Sequence, residues 1–362
     1  MNSGSYCALA QSVGAAIDAY MEERLTVGAN WDLWVMKNEA VRERVAALLG
    51  AHPDEIAVTA SASAGLNALA SAFEFTGRRN KIVISDFEFP TNAQIWHAQE
   101  RRGARVVHAH RAQDGYIPLE HFEELIDEET KLVAITHVCY LNGARLDIPG
   151  IVRLAHARGA KVLVDCYQSV GAIGFDVKSL DVDFAVGGML KYLLGTAGIG
   201  FLYVRGSLIP DLIPTNTGWF AQADIGAMDI SANKPSLTAR RFEAGTPPVM
   251  NCYAAEAGLN YLLAVGGETV QARILALTGH CMDRLEEIGW PSVTPRRDDR
   301  RGPTVAVPSS DAGLLTKKLM ERDIVTSHRG GNIRAAFHFY NNDQDIENFV
   351  SAMTELRAEL RG

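Results

Sequence analysis

Short apolar runs alternate with longer amphipathic segments through the first two-thirds of the chain. The stretch Lys161-Val-Leu-Val is nearly continuous in its apolar character, as a parallel strand buried on both faces must be. Residues 65–75 instead have helical spacing, which brings Leu66, Leu69 and Phe73 onto one face. The predicted strands are 56–59, 81–85, 105–109, 131–136, 161–165, 183–187 and 200–204. Strands that alternate with helices predict βαβ units and an α/β domain with a mainly parallel sheet.

This alternation ends near residue 205. Residues 206–240 are rich in Pro and Gly and are predicted to be loop-like, and a long helix is expected over 251–265, ended by Gly266 and Gly267. The rest of the chain has the pattern of a smaller α/β unit that closes with an amphipathic helix over 345–360. We therefore expect an N-terminal segment (1–30), a large domain (31–265) and a small C-terminal domain (266–362).

Composition narrows the class of protein. The chain has 362 residues, 47% hydrophobic and 22% charged, which is typical of a globular protein. Its net charge of −8 and the absence of a basic run predict no nucleic-acid partner, and no apolar stretch approaches the roughly 20 residues that cross a bilayer. The start, MNSGSYCALA, has neither the basic nor the apolar region of a secretion signal, and the five cysteines are scattered. These features predict a cytoplasmic protein with reduced thiols and no membrane partner.

Several polar residues lie where predicted strands end, the edge at which open α/β sheets bind ligands. The first group is Thr59-Ala-Ser-Ala-Ser-Ala-Gly65, a run of small residues between a strand and a helix. Backbone N–H groups and the positive end of a helix can bind an anion there, with Ser61 or Ser63 as a further donor. The same pattern is also that of an ordinary serine N-cap.

Asp165 ends a predicted strand, so that its carboxylate is expected at the mouth of the sheet. It has two interpretations: a cap of the next helix, or a partner for a buried cation such as a protonated pyridine nitrogen. Gln168 can point the same way if a helical turn follows, and is otherwise a solvated helix residue.

Lys191 lies in an apolar, glycine-rich run just past a predicted strand, where an ammonium group is costly to bury. Desolvation lowers the pKa of a lysine, and the neutral amine can form a Schiff base. The alternative is a lysine that extends to the surface. Arg334 heads a predicted apolar strand, which suits either bidentate binding of a carboxylate or a surface ion pair.

These motifs, in this order, resemble the class V aminotransferase family of fold-type I pyridoxal 5'-phosphate enzymes, from about residue 30 to the C-terminus. Within that family the chain is most similar to the branch of kynureninases and isopenicillin-N-epimerase-like proteins, with features of cysteine desulfurases. The resemblance implies a fold-type I architecture, with a large domain on a mainly parallel sheet and a smaller C-terminal α/β domain. It also implies pyridoxal 5'-phosphate as cofactor and an amino acid as substrate.

The resemblance further implies a role for each matching residue. Lys191 matches the Schiff-base lysine, Asp165 the partner of the pyridine nitrogen, and Gln168 a residue near the phenolic oxygen of the ring. Phe89 matches the ring that stacks on the pyridine, and Tyr140 and Asn92 belong to segments near the cofactor. Arg334 matches the residue that binds the substrate carboxylate. The residues implied at the phosphate are Ala62, Ser63, Trp219 and Thr246, of which Thr246 serves the neighbouring subunit of a homodimer.

Some positions depart from the relatives. Kynureninases have His at the position of Gln168, Tyr at that of Leu190 and Asp at that of Asn92. Desulfurases have a His before the lysine and a nucleophilic Cys shortly before the arginine, whereas no Cys follows Cys281 here. Gly188 and Leu190 also lack the side chains that commonly donate to the phosphate.

The expected function is therefore that of an enzyme that acts on an L-amino acid through Lys191 and removal of the Cα proton. An aminotransferase-like or C–S/C–X lyase-like reaction leads. The alternatives are an amino-acid epimerase, a kynureninase-like hydrolase and, outside catalysis, a silent binding module of the same fold.

Overall fold

A seven-stranded sheet with helices on its faces organises the larger part of the chain, as a computed structural model of residues 1–361 shows. Its strand order is β1-β7-β6-β5-β4-β2-β3, and β7 runs antiparallel to its two neighbours β1 and β6, whereas the other strands share one direction. The strands are β1 (Ile56–Thr59), β2 (Lys81–Ser85), β3 (Arg105–Ala109), β4 (Thr130–Thr136), β5 (Lys161–Asp165), β6 (Phe184–Gly188) and β7 (Gly200–Val204). The predicted α/β class with a mainly parallel sheet is confirmed.

Successive residues of the central strands enter two separate cores. Val162 and Val164 pack in one apolar cluster, whereas Leu163, between them, packs in the other. This alternation follows from the two-residue period of a strand. Because helices cover both faces of the sheet, the residues that point to either face must be apolar. The apolar run that predicted β5 is thus explained by burial on both faces.

A second, antiparallel sheet has the order β8-β10-β9. Its strands are β8 (Thr304–Pro308), β9 (Ser327–Arg329) and β10 (Asn332–Ala336). The α-helices of residues 1–361 are α1 (Gln11–Thr26), α2 (Trp31–Leu49), α3 (Ala62–Ser71), α4 (Pro90–Ala98), α5 (Leu119–Glu123), α6 (Ile148–Ala157), α7 (Val249–Val265), α8 (Gly267–Glu287), α9 (Ala312–Met320) and α10 (Asp343–Leu360).

The element boundaries differ from the predicted ones where a side chain caps a helix. Helix α3 begins at Ala62 rather than at 65, because the Ser61 hydroxyl accepts the Ala64 N–H at 3.0 Å. Helix α10 begins at Asp343 because Asn342 caps it. Gly266 ends α7 as predicted, but Gly267 already opens α8.

The loop character predicted for residues 206–240 is confirmed, since that stretch contains short 3₁₀ turns and no strand. All five cysteines are free and buried. Within residues 1–361, no helix combines the length and the apolar character that a membrane span requires.

Strand direction decides which residues meet. The parallel strands β2, β4, β5 and β6 end at one edge of the sheet, which carries Ser85, Thr136, Asp165 and Gly188. Because β7 runs the opposite way, it begins at this edge with Gly200, which pairs with the last residue of β1.

Candidate active site

A cavity of about 240 Å³ opens at this edge of the sheet. Most of the residues singled out in the sequence line it: Ala62, Ser63, Phe89, Asn92, Tyr140, Asp165, Gln168 and Lys191. The carboxyl ends of β4 and β5, the N-termini of α3 and α4 and the loop after β6 supply them. Residues far apart in sequence are therefore gathered at the ligand-binding edge that the strand pattern predicts.

Lys191 lies in the loop after β6 with its amine between two aromatic rings. Its Nζ is 4.5 Å from the centre of the Tyr167 ring and 5.8 Å from that of Phe89. Desolvation lowers the pKa of Lys191 to about 8, although the nearby charge of Asp165 acts to raise it. At pH 7 about a tenth of this lysine is therefore a neutral amine, and a nucleophile, far more than at an ordinary lysine.

Asp165 ends β5 as a buried carboxylate held by two neutral donors. The Tyr167 N–H donates to Oδ1 at 2.8 Å, and Asn92 Nδ2 donates to Oδ2 at 2.7 Å. No cationic side chain of residues 1–361 lies within ion-pair distance of it, and burial raises its pKa against these donors and the charge of Lys191. A carboxyl group so enclosed is costly to ionise without a cation in direct contact, and a protonated ring nitrogen is a suitable one.

Glu88 is a second buried carboxyl group that the sequence reasoning missed. It accepts hydrogen bonds from Ser85 Oγ at 2.7 Å, the Thr136 N–H at 2.9 Å and Asn92 Nδ2 at 3.2 Å. Burial, with the charge of Asp165 as a smaller cause, raises the pKa of Glu88 to about 8 in spite of these donors. Asn92 therefore links two buried carboxyl groups. The sequence did carry a signal for Glu88, since this residue lies three positions after the end of a predicted strand.

The N-terminus of α3 presents backbone amides to the cavity. The N–H groups of Ala62 and Ser63 have no acceptor within residues 1–361, whereas that of Ala64 is capped by Ser61. A Cβ at Gly200 would lie 2.7 Å from Ala62 N, so only glycine lets β7 approach this helix end. Free amides at the positive end of a helix form an anion-binding site.

The N-terminal segment of the chain lies across the site. Gln168 is buried and donates through Nε2 to the Gly4 carbonyl at 3.0 Å, so the solvated alternative for this residue is wrong. Cys7 donates to the Leu190 carbonyl at 3.3 Å, next to Lys191. Contacts between residues this far apart in the chain leave no periodic trace in the sequence.

Arg334 lies beside the cavity rather than in its lining. It is the third residue of β10, not its first, and is only 4% exposed, so the surface ion pair is wrong. Its guanidinium donates to the Tyr140 carbonyl at 2.6 Å, to Ser327 Oγ at 2.8 Å and to Ser5 Oγ at 3.1 Å. Its Nε is buried without an acceptor in the described chain. Because its three hydrogen-bond partners are neutral, the charge of this guanidinium suits the binding of a carboxylate.

Trp219 and Thr246 lie outside the cavity of their own chain. The Trp219 indole N–H donates to the Ile225 carbonyl at 2.7 Å within its own loop. Thr246 is exposed and lines a separate pocket together with residues 58–60, the segment that leads to α3. The folded single chain therefore does not bring these two residues to Lys191.

The residues present fit pyridoxal 5'-phosphate on three independent features. The free amides of Ala62 and Ser63 suit a phosphate, and the enclosed carboxylate of Asp165 suits a protonated pyridine nitrogen. The lowered pKa of Lys191 suits an amine that attacks an aldehyde.

Comparisons of the sequence and of the structure with known proteins point to the same family. The family model described as Aminotransferase class-V matches residues 33–349. An uncharacterized aminotransferase, YcbU, of Bacillus subtilis (strain 168) is 34% identical over 96% of this chain and 91% of its own. A kynureninase of Deinococcus radiodurans is 31% identical, over 91% of this chain and 80% of its own. The apo structure of a cysteine desulfurase from Thermococcus onnurineus NA1 superimposes with a TM-score of 0.88 at 26% identity, covering 98% of this chain and 93% of its own.

Proposed function

The chain belongs to the class-V aminotransferase family, and on that premise we propose that it acts on an L-amino acid through Lys191 and removal of the Cα proton. It is a pyridoxal 5'-phosphate-dependent enzyme of amino-acid chemistry. The observation that carries the proposal is the gathering of Lys191, Asp165 and the free amides of α3 around one cavity.

The chain offers a group for each part of the cofactor. Lys191 would hold it covalently, Asp165 would pair with its ring nitrogen, and the amides of Ala62 and Ser63 would bind its phosphate. Phe89 would cover one face of the ring. When bound, the cofactor supplies an electron sink for the charge that develops at the substrate Cα.

Arg334 binds and orients the substrate carboxylate in this proposal, since it lies beside the cavity and its hydrogen-bond partners are all neutral. Its contacts to Tyr140 and Ser327 hold the guanidinium plane in one orientation. Once the substrate amine has replaced it on the cofactor, the freed Lys191 amine would take the proton from Cα as a general base, a role that suits a pKa of about 8.

The reaction that follows is aminotransferase-like or C–S/C–X lyase-like. Support comes from relatives that carry the names of an aminotransferase and of cysteine desulfurases. A desulfurase that passes sulfur to its own cysteine is disfavoured, because no cysteine follows Cys281 and all five thiols are buried.

A screen of L-amino acids with the cofactor-loaded enzyme tests this function. Keto acid, ammonia and sulfide are assayed separately, with and without a keto-acid acceptor, and Lys191→Ala serves as the control. We expect at least one amino acid to yield one of these products with the wild type only. Deuterium incorporation at Cα from heavy water without any of these products would instead indicate epimerisation, and no turnover at all would contradict the proposal.

We further propose that the enzyme is a homodimer in which Thr246 completes the site of the neighbouring subunit. Thr246 is exposed and lies outside the cavity of its own chain, and Leu237 and Met250 nearby in sequence are exposed apolar residues. Hybrid dimers of Lys191→Ala and Thr246→Ala subunits test this, because one site of each hybrid would combine intact Lys191 with intact Thr246. We expect higher cofactor affinity at that site than in Thr246→Ala dimers, whereas a monomeric protein would contradict the proposal.

The division into residues 1–30, 31–265 and 266–362 is also a proposal. The three-stranded sheet and an apolar cluster drawn from residues 277–360 both fall within the last part. Limited proteolysis tests this division. We expect early cleavage near Gly266, where α7 meets α8, and cleavage inside the 277–360 cluster would contradict it.

A further inference from the structure

Tyr167 fills the space that a side chain at position 188 would take. A Cβ added to Gly188 would lie 2.4 Å from Tyr167 Cε2 and 2.5 Å from its Cζ and hydroxyl oxygen. The Tyr167 side chain is therefore possible only because residue 188 is glycine. Its hydroxyl has no hydrogen-bond partner within residues 1–361, although the ring lines the cavity and lies 4.5 Å from Lys191 Nζ.

The pairing of strands β6 and β7 shows that the Tyr167 hydroxyl and the N-terminus of α3 lie on the same face of the sheet. Gly188 of β6 pairs with Gly200 of β7 in an antiparallel ladder, and residues directly opposite each other point to the same face. A Cβ at Gly200 would meet Ala62 N at 2.7 Å, just as one at Gly188 would meet the Tyr167 hydroxyl. The phenol and the free amide therefore lie over neighbouring positions on the same face of the sheet.

Tyr167, Ala62 and Ser63 all line the same cavity. The Ala62 and Ser63 amides have no acceptor in the described chain, and neither has the Tyr167 hydroxyl. Burial raises the pKa of Tyr167 to about 12, so the phenol keeps its proton and remains a donor. A phosphate dianion at the end of α3 has several acceptor oxygens and can use more donors than the two amides provide.

We propose that Tyr167 is a phosphate-binding residue whose hydroxyl donates to the cofactor phosphate, in place of the side chain that position 188 lacks. This inference rests on the proposed function of Lys191 as the cofactor-binding amine. It assigns Tyr167 to binding of the phosphate rather than to proton transfer at the substrate.

Tyr167→Phe tests the assignment, because it removes the hydroxyl and keeps the ring against Gly188. Holoenzyme is stripped of cofactor and titrated with pyridoxal 5'-phosphate or with pyridoxal, which has the same ring and aldehyde but no phosphate. We expect the variant to bind pyridoxal 5'-phosphate about 10- to 100-fold more weakly, as for the loss of a hydrogen bond to a charged group, and pyridoxal as tightly as the wild type does. The ³¹P resonance of the reloaded holoenzyme is expected to shift as well.

A rescue pair separates the hydroxyl from the packing of the ring. Tyr167→Ala frees the space at position 188, and Gly188→Ser in that background returns a hydroxyl to the same face. We expect the double variant to bind pyridoxal 5'-phosphate more tightly than Tyr167→Ala alone. Tyr116→Phe, a tyrosine outside the cavity, is the matched control and should change neither affinity.

Three results would overturn the assignment. Unchanged affinity of Tyr167→Phe for both compounds, or an equal loss for both, would exclude a phosphate contact. A fall in turnover with unchanged cofactor affinity would make Tyr167 a proton-transfer residue instead. If the wild type bound cofactor at Lys191 in these experiments, only the assignment of Tyr167 would fail; if it did not, the proposed function would fail with it.

Discussion

Asn92 donates one hydrogen bond to Asp165 Oδ2 at 2.7 Å and another, at 3.2 Å, to Glu88 Oε2. One amide group thus separates two buried carboxyl groups and is a donor to both. The arrangement fixes the orientation of Asp165, while the N–H of Tyr167 holds its other oxygen.

Removal of this amide should weaken cofactor binding. Asn92→Ala leaves Asp165 with one donor instead of two, so its ionised form is less stabilised against burial. We expect the affinity for pyridoxal 5'-phosphate to fall about tenfold, in the range of one lost hydrogen bond to a charged group. Spectrophotometric titration measures it, and Asn348→Ala at an exposed position is the control. Equal affinities of Asn92→Ala and wild type would show that the amide does not support Asp165.

Glu88 should give the stability of the cofactor-free protein a specific pH dependence. Burial raises the pKa of Glu88 from 4.5 to about 8, so between these values the folded protein holds a proton that the unfolded chain has released. The folded state consequently loses stability as the pH rises through this window. Glu88→Gln does not titrate, so its free energy of unfolding relative to wild type should increase from pH 4.5 to 8.

The measurement is denaturant unfolding at several pH values. Exchange of an oxygen for NH₂ beside Asn92 adds an offset, so the slope of the difference with pH is the quantity to compare. Glu124→Gln, at an exposed position, gives the background slope. A difference that is flat or falls with pH would mean that Glu88 is ionised in the folded protein.

Arg334 should control the affinity for substrate and not that for cofactor. Arg334→Ala removes a buried guanidinium whose Nε is unused by the protein, and we expect KM for the amino acid to rise about 10- to 100-fold. Arg334→Lys keeps the charge without the planar pair of donors and should recover only part of this loss. Steady-state kinetics with a cofactor titration as control separate the two effects. A normal KM in Arg334→Ala would move the carboxylate site elsewhere.

A buried ion pair away from the cavity should support the segment that leads to Thr246. Arg42 Nη2 lies 2.7 Å from Glu243 Oε1, and both side chains are about 5% exposed or less. Arg42→Leu leaves the Glu243 carboxylate buried without its cation, and we expect a loss of about 3–5 kcal/mol in unfolding free energy. The double variant Arg42→Leu/Glu243→Leu should lose less. A double variant as unstable as the single one would mean that the packing of Arg42, not its charge, is what matters.

The sequence predicted the sheet well because burial on both faces leaves a visible trace. The strand Lys161–Asp165 has apolar residues pointing to both faces of the sheet, and the predicted end of this strand placed Asp165 at the site. The start of α3 was misjudged, since a run of small residues has no periodicity and the boundary depends on a single side chain, Ser61. Local composition thus predicts elements better than it predicts where they begin.

The same reasoning explains which site residues were missed. Tyr167, in the loop after β5, was overlooked because its position depends on the missing side chain of Gly188, the last residue of β6. The hydrogen bond between Gln168 and Gly4 joins residues 164 positions apart, so no local pattern of the sequence reveals it. Trp219 and Thr246 lie outside the cavity of their own chain, and only the resemblance had implied them at the phosphate.

The most direct test of the central claim is to identify the residue that carries the cofactor. Borohydride reduction of the loaded enzyme fixes the covalent link, and peptide mapping by mass spectrometry locates it. We expect the label on Lys191 alone, with a visible absorption band in the wild type that is absent from Lys191→Ala. A label on another lysine, or the same band in wild type and Lys191→Ala, would contradict the account.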